Sequence, residues 1–381
     1  MGLERRLLLD REVQSGDAAT RRVELGRDVA LSGILLRIEC TNGGTSGTEL
    51  LIDAIDRIEV VDGSQVLFSL EGTELYKWNW IWLRKRPPQV RSMVAGGVQE
   101  LALFIPFGRM IGDKRLYLPT GRFQRPELTV EFSPTISGTT FATGTFTITA
   151  VEYSWPLGEV PGATLGYLRT RQIRAFTSAG SGDEDIELDR THPYMGALVY
   201  AREAAIADGV DITIVEVREN DGRVIPFRGR FLDIQMENQI MFDLDPVEEG
   251  IALLTDAETV DTLLSRVLSA SVHLVEDTAG ADAAHPLARI ATITADRLAM
   301  SVVEVDEALT QIDSAVATAL YEIHWRARGI GVGNAVFLPL ALPGDIENPY
   351  MAPQKNKVQL RLTQGGAGAT VRVSTQELVP G

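Results

Sequence analysis

The sequence predicts an all-β protein that contains two β-sandwiches in tandem, and three observations support this prediction. Runs in which apolar and polar residues alternate, the pattern of half-buried strands, recur along most of the chain. Their order is repeated, so that the second half of the chain has counterparts of the runs in the first half. Each copy also contains an Asp-Gly pair between two such runs, at 62–63 and at 221–222. Such a pair is typical of a β-hairpin, because both residues tolerate a positive φ.

The two copies remain aligned after the hairpin. In each copy the second hairpin strand ends in a phenylalanine, Phe68 or Phe227. Segments 103–107, 127–132 and 145–152 then correspond to segments 336–340, 357–362 and 369–376. Counterparts are 156 residues apart at Ile58 and Ile214 but 233 apart at Phe104 and Phe337, which indicates an insertion in the second copy.

The elements can be assigned in chain order. An amino-terminal arm (1–27) is predicted to precede the first sandwich (28–155), and a linker (156–166) to separate it from the second (167–381). Alternation predicts strands at 29–40, 99–107, 128–132 and 141–153 in the first copy, in addition to its hairpin. Residues 70–83 predict a short helix that is rich in aromatic residues and ends before Pro87-Pro88.

The insertion, placed at about residues 245–325, is predicted to be mixed and partly helical. Residues 255–258 have the sequence of a capping box, in which Thr and Glu side chains bond to free amides at a helix start. Apolar residues between 260 and 268 then fall on one helical face, and those between 305 and 316 predict a second helix. Alternation at 321–325 favours a strand.

The net charge of −16 is concentrated in one stretch of the chain. Residues 201–325 contain 24 acidic and 8 basic residues, whereas acids and bases balance elsewhere. Such a stretch repels nucleic acid and anionic lipid and favours a solvent-facing position, so no nucleic-acid partner is expected. The single cysteine, Cys40, rules out internal disulfides. With no signal-like segment and no long apolar run, the sequence fits folding in a reducing cytoplasm.

No motif predicts catalysis, a metal site or a cofactor, so we expect a protein that is not an enzyme. The four histidines, His192, His273, His285 and His324, lack the spacing of metal ligands. Residues 183–185 form a dense acidic segment, which we interpret as a solvated turn between two strands. The alternatives for it are a calcium site or acid–base chemistry on a glycosidic bond. The glycines at 329–333 lead into a strand, unlike those of a phosphate-binding loop.

Two sets of residues are candidates for interactions. Trp78, Trp80 and Trp82 offer flat rings for sugar stacking, but residues two apart on a helix do not share a face, so we favour core and interface packing. The arm contains six arginines, including Arg5, Arg6 and Arg11, and five acidic residues. An ordinary terminal arm explains this balance. The more specific hypothesis is contact with a membrane surface or a neighbouring subunit.

The tandem sandwiches, with a hairpin followed by a helix, resemble a known family. Their order is similar to that of the double jelly-roll major capsid proteins of tailless icosahedral viruses, especially bacterial viruses with an internal membrane. The resemblance covers about residues 28–155 and 167–378, and its most specific part is the string Ile58–Trp80.

The resemblance implies two eight-stranded jelly rolls in each chain and a structural role in the virion. It also implies a homotrimer whose six rolls form a nearly hexagonal capsomer, with neighbouring capsomers and other virion proteins as partners. Assembly would occur in the host cytoplasm. On this basis we expect the acidic insertion in an outward tower, and the arm, with Arg5 and Arg6, on the inner side against the lipid membrane or adjacent capsomers.

Two other functions remain open from the sequence. A two-sandwich glycan-binding protein or glycoside hydrolase would have a concave aromatic site with convergent carboxylates. A minor vertex or spike protein of the virion often uses a single roll. The oligomeric state separates these possibilities, because the capsid function requires a persistent trimer.

Overall fold

The computed structural model describes most of the chain. The described residues are 2–43, 50–136, 140–159, 164–202, 209–254, 257–261, 264–265, 267–277, 287–294, 297–305, 311–313, 321–341 and 345–381. Strands dominate them, and two α-helices and three short 3-10 helices are present.

The elements follow in chain order. The first part contains β1 (Glu4–Gln14), β2 (Ala19–Glu24), β3 (Val29–Thr41), β4 (Ile55–Asp62), β5 (Gln65–Leu70), α1 (Gly72–Leu83), β6 (Gln89–Val90), β7 (Val98–Pro106), β8 (Leu118–Pro119), a 3-10 turn (Thr120–Arg122), β9 (Pro126–Phe132), β10 (Phe146–Pro156) and a 3-10 turn (Leu157–Glu159). The second part begins with β11 (Gly166–Thr177), β12 (Gly182–Glu187), β13 (Tyr194–Arg202), β14 (Ile212–Glu219), β15 (Val224–Arg230) and α2 (Phe231–Phe242).

It continues with β16 (Val247–Leu254), β17 (Ala257–Asp261), β18 (Leu264–Ser265), β19 (Ser269–Asp277), β20 (Leu287–Thr294), β21 (Arg297–Val305), β22 (Gln311–Asp313), β23 (Tyr321–Arg328) and β24 (Gly331–Val332). It ends with β25 (Ala335–Pro339), a 3-10 turn (Ala352–Gln354), β26 (Val358–Gln364) and β27 (Thr370–Pro380).

The strands form the same sandwich twice. The first roll pairs β1-β10-β3-β7 in one sheet and β2-β9-β4-β5 in the other. The second roll pairs β11-β27-β13-β25 in one sheet and β12-β26-β14-β15 in the other. Each strand of the first roll therefore has a counterpart at the same place in the second. Two four-stranded antiparallel sheets in this order make an eight-stranded jelly roll, so the predicted fold class is confirmed.

A parallel strand pair joins the rolls. Strand β5 pairs with β11 through Phe68 and Thr170 and through Ser69 and Arg171. The β2-β9-β4-β5 sheet of the first roll and the β11-β27-β13-β25 sheet of the second thereby become a single eight-stranded sheet.

The prediction of a separate amino-terminal arm at 1–27 is wrong for most of that segment. Strand β1 pairs with β10 along its length, and β2 pairs with β9. Both are therefore part of the first roll. Strand β1 is exposed on most of its length, so it lacks the apolar alternation that would have marked it as a strand of a sandwich.

The prediction that the insertion is partly helical is also wrong where the structure describes it. Residues 257–261 form β17 and pair with β21, although residues 255–256 of the predicted capping box lie outside the described residues. Val305 ends β21 and Ile312 lies in β22, so the second predicted helix is strand at both positions. The strand prediction at 321–325 is confirmed by β23.

Pairing register shows which residues of the two rolls are equivalent. Phe104 and Phe337 lie at the same place in their ladders, as predicted. Ile58, however, is equivalent to Val215 and not to Ile214, because each lies three residues after the start of a ladder with a bulge at the same position. Both side chains are fully buried. A slip of one residue exchanges the two faces of a strand, so burial decides the register.

Helix α1 buries a carboxyl group at its first turn. Glu74 is fully buried, and its side chain accepts a bond from the amide of Glu71 as part of a capping box. Burial raises the pKa of Glu74 from 4.5 to about 7. The group is therefore protonated in the folded chain at pH values where the unfolded chain has released the proton.

We expect Glu74 to lower the free energy of unfolding as pH rises from about 4.5 to about 7, since the folded state binds more protons in this range. The loss should total about 3 kcal/mol. In Glu74→Gln this component should be absent, because glutamine keeps the bond to Glu71 but does not titrate. Denaturant unfolding of both proteins at several pH values measures the difference, and parallel curves would contradict this assignment.

Candidate assembly surface

A buried asparagine fixes the helix of each roll to the following strand. In the first roll, Asn79 Nδ2 donates to the carbonyl oxygen of Phe104 at 2.7 Å, and Asn79 Oδ1 accepts from the Phe104 amide at 2.6 Å. In the second roll, Asn238 makes the same two bonds with Phe337, both at 2.8 Å. We call each arrangement a helix clamp. It places α1 and α2 at equivalent positions.

A glycine completes each clamp. A Cβ atom on Gly33 would lie 2.3 Å from the ring of Phe104, and one on Gly196 would lie 2.2 Å from the ring of Phe337. Both phenylalanine rings therefore lie over a neighbouring strand at a point where only glycine fits. Sequence reasoning missed the clamps, although the recurrence of Gly, Asn and Phe in the same order in both copies was a signal that could have found them.

Helix α1 is buried between the two rolls. Ten of its twelve residues are buried. The Trp78 ring meets the ring of Phe337 edge-on at 5.2 Å, and its Nε1 donates to Ser374 Oγ at 2.8 Å. The ammonium group of Lys77 lies 4.4 Å from the centre of the Tyr200 ring. These second-roll residues cover the outer face of the helix. We call this contact, together with the β5–β11 pair, the joint.

The three tryptophans of α1 have different surroundings. Trp78 faces the second roll, whereas Trp80 is fully buried and meets Tyr76 edge-on at 5.6 Å. Trp82 is half-buried and stacks on Phe104 at 5.4 Å. The indoles therefore form no exposed row on which a sugar could stack.

The equivalent helix of the second roll is not covered. Only five of the twelve residues of α2 are buried. Its outer face exposes Met236, Ile240 and Met241, and the adjacent β15, which ends its sheet, exposes Val224 and Ile225. We call this region the α2 face.

Equivalent isoleucines show the difference between the helices most clearly. Asn79 and Asn238 align the helices, and the alignment makes Ile81 and Ile240 equivalent. Ile81 is 4% exposed, whereas Ile240 is 84% exposed. An apolar side chain with so much exposure at a position that is buried in the other roll marks a surface that lacks its cover.

Strand β1 is the counterpart of β11 and is also open. It lies at the end of its sheet, with β10 on one side. Bulges at Leu8 and Ile173 align the two strands, which makes Arg5 equivalent to Thr170 and Arg6 equivalent to Arg171. Thr170 and Arg171 are the residues through which β11 pairs with β5. The predicted interaction residues Arg5 and Arg6 thus lie at the open counterpart of the joint.

The third arginine of that set lies farther along β1. Arg11 is exposed, has a φ of 46°, and donates from Nη2 to Glu39 Oε1 at 2.9 Å. On the same sheet, Leu35 is half-buried, whereas its counterpart Leu198 is fully buried at the joint. We call this region of β1, β10 and β3 the β1 face.

The dense acidic segment is a strand and not the predicted turn. Residues 183–185 belong to β12, and their carboxylates pair with arginines. Arg361 lies 2.5 Å from Asp185 and 3.2 Å from Asp183, and Arg174 lies 2.8 Å from Glu184. The hydrogen bond from Arg361 lowers the pKa of Asp185. These ion pairs explain the acidic cluster as part of a charged sheet surface.

Over the described residues, no group of three or more His, Cys, Asp or Glu side chains is arranged to hold a metal ion. His285 lies outside them. Neither described helix has the length and apolar character required to cross a membrane.

Comparison with solved structures shows which proteins share this fold. The chain superimposes on the Sulfolobus turreted icosahedral virus structure with a TM-score of 0.59, at 11% identity over 99% of this chain and 91% of that chain. For the crystal structure of the major capsid protein of that virus, the TM-score is 0.58 at 11% identity, over 100% and 98% of the two chains. This protein has the double jelly-roll fold of viral major capsid proteins.

A third double jelly-roll structure agrees with this result. The PBCV-1 virus capsid matches with a TM-score of 0.55 at 9% identity, over 99% of this chain and 93% of that chain. No protein-family model and no curated protein sequence matches the chain. The likeness therefore lies in the fold, which the repeated order of strands preserves at very low sequence identity.

The clamps should contribute strongly to the stability of the double jelly roll. Asn79→Ala leaves the amide and carbonyl of Phe104 buried without these bonds, which should cost about 2–3 kcal/mol of unfolding free energy. Asn348 is exposed and bonds only locally to Asp345, so Asn348→Ala is a matched control that should cost far less. Denaturant unfolding compares the two, and equal losses would show that the clamp is not a stabilising contact.

Proposed function

We propose that this protein is a major capsid protein that assembles into trimers, which tile the shell of an icosahedral virus. The supporting observation is the difference in exposure between equivalent helices. Helix α1 is covered inside the chain, while the α2 face is open and apolar. The joint covers α1 within the chain, whereas the equivalent α2 face has no cover. A second copy of the chain would supply that cover.

The β1 face of a second copy is the proposed cover. Within the chain, the β11 side of the second roll covers α1 and β5. By the repeat, the β1 side of a neighbour's first roll would cover α2 and β15. Phe227 and Arg228 are the counterparts of Phe68 and Ser69, so they would pair in parallel with Arg5 and Arg6 of the neighbour. This pairing gives the basic residues of β1 a role in subunit contact.

Three chains close such an assembly. The contact is head-to-tail, because the α2 face of one copy meets the β1 face of the next. Head-to-tail contacts form a closed ring when the rotation returns to the start, and an open filament when it does not. If every roll covers the next in the same way, three chains form a ring of six rolls with a nearly hexagonal outline, which is a shape that tiles a plane.

Apolar burial supplies the driving force in this proposal. Met236, Ile240 and Met241 are each more than 40% exposed in the single chain. Full burial of a side chain of this size typically contributes about 1.5–3 kcal/mol. Pairing of β1 with β15 would also remove two open sheet edges, which otherwise favour uncontrolled aggregation.

The remaining parts of the proposal concern the place of the trimer in the virion. The protein would act by assembly and not by catalysis, in contact with neighbouring capsomers and other virion proteins. The insertion would stand as an outward tower, because its charge favours solvent. An internal membrane on the side of residues 1–27 is a further part of the proposal. The position of Arg5 and Arg6 on an open strand edge favours subunit contact over lipid contact for these two residues.

Ile240→Glu should abolish the trimer, because it places a charge in the middle of the proposed contact. Size-exclusion chromatography with light scattering should give three times the chain mass of 41.6 kDa for the wild type and one chain mass for the variant. Ile240→Leu keeps the apolar contact and should remain trimeric. Met110→Glu changes an exposed apolar residue outside both faces and should also remain trimeric. A monomeric wild type, or a trimeric Ile240→Glu protein, would contradict the proposal.

A further inference from the structure

A groove of about 330 Å³ lies where the first roll meets the insertion. One wall comes from residues 86–91 of the first roll, and the other from the sheet in which β23 lies between β16 and β19. We call it the cationic groove. This volume lies within the range of sites that hold a small ligand.

The walls of the groove are basic in a chain that is strongly acidic overall. Arg86, Arg91 and Arg326 line it together with His273 and His324. Among its described lining residues, Glu249 is the only carboxylate, and its Oε1 lies 3.4 Å from an Arg86 nitrogen. The groove therefore concentrates hydrogen-bond donors and positive charge.

Strand alternation explains why these side chains converge. Along β23, Trp325 is buried, whereas His324 and Arg326 on either side of it are exposed on the opposite face. His273 of β19 is paired directly with His324, and Ser271 with Arg326. Cross-strand neighbours on one face lie about 5 Å apart, so the two strands present their polar side chains together.

The indole of Trp325 lies beneath the groove and is closed off from it. Trp325 is 1% exposed, and its Nε1 has no accessible surface. A Cβ atom on Gly250 would lie 2.9 Å from Trp325 Nε1, so the indole edge packs directly against this glycine. The polar groups that a ligand in the groove can reach are therefore those of the exposed face, which include Arg326 and His273.

The groove is also held in shape without a ligand. Arg91 Nη1 donates to Glu248 Oε1 at 2.7 Å between two buried side chains, and the Arg91 guanidinium lies 5.2 Å from the centre of the Trp325 ring. The backbone of Ile251 donates to the carbonyl of Arg91 at 2.9 Å and accepts from the amide of Met93 at 2.8 Å. The two walls are therefore fixed to each other by side-chain and main-chain bonds.

We propose that the cationic groove binds an oxyanion: a sulfate, phosphate or carboxylate group, either free or carried by an acidic oligosaccharide. Arg86, Arg326 and His273 would donate to its oxygens, and the two arginines would supply the compensating charge. Charge-assisted bonds from arginine to such groups are among the stronger polar contacts in proteins.

Calorimetric titration of the full-length protein in Tris-chloride tests this proposal. The probes are sodium sulfate, sodium phosphate, a sulfated oligosaccharide and an oligouronate, each measured at low and at physiological salt. We expect saturable binding of at least one probe, weaker at higher salt. Binding of the inorganic ions identifies a free ion as sufficient, whereas binding of the oligosaccharides alone identifies a ligand carried on a sugar. Absence of binding of all four at millimolar concentration would overturn the proposal.

Variants distinguish the groove from general attraction to a basic surface. Arg326→Gln should weaken binding by about tenfold or more, and Arg86→Gln by about fivefold, because each removes a charged donor from the groove. Arg328→Gln is the control, since Arg328 lies on the same strand, is 61% exposed and pairs with Asp245. Equal losses in Arg326→Gln and Arg328→Gln would also overturn the proposal.

Discussion

Burial of α1 between the two rolls is the contact on which the rest of the structure depends. A jelly roll of this kind leaves two features unsatisfied, an apolar helix face and an open strand edge. Within the chain, β11 pairs with β5 and the second roll covers Trp78 and its neighbours. Through this contact, one sheet of each sandwich joins into a continuous sheet, and Leu198 and Phe337 of the second roll become part of the apolar cluster of the first.

Because of the repeat, we propose that the same contact also forms between chains. The helix clamps hold α1 and α2 in the same position on their rolls, so the second roll presents the same need for a cover. Exposure of Ile240, where Ile81 is buried, is the local sign of that need. A head-to-tail contact of this kind gives a particle of defined size only if the ring closes, because an open series of the same contact would form a filament. In the proposed trimer, closure by three chains would satisfy both open faces at once.

Local patterns in the sequence predicted the parts of the fold that depend on local periodicity. The hairpins, α1 and the order of the repeat are of this kind. Phe68 and Phe227, which the sequence aligned, lie at equivalent positions of β5 and β15. Strand β1 was missed because exposure on most of its length removes the alternation. The capping-box pattern near residue 257 was misleading, because pairing of β17 with β21 prevails there over helix propensity. The clamps and the open α2 face depend on contacts distant in sequence, so periodicity alone did not reveal them.

Disulfide trapping tests the completed joint most directly, because Cys40 is the only native cysteine and is buried. Arg6 and Arg228 are the counterparts of the paired residues Arg171 and Ser69, and neighbouring strands bring paired Cα atoms into the range of a disulfide. Under oxidation, a chain carrying both Arg6→Cys and Arg228→Cys should form linked species that end at the trimer, and neither single variant should do so. A double variant that stays monomeric, or that links into an unlimited ladder, would contradict a closed ring of three chains.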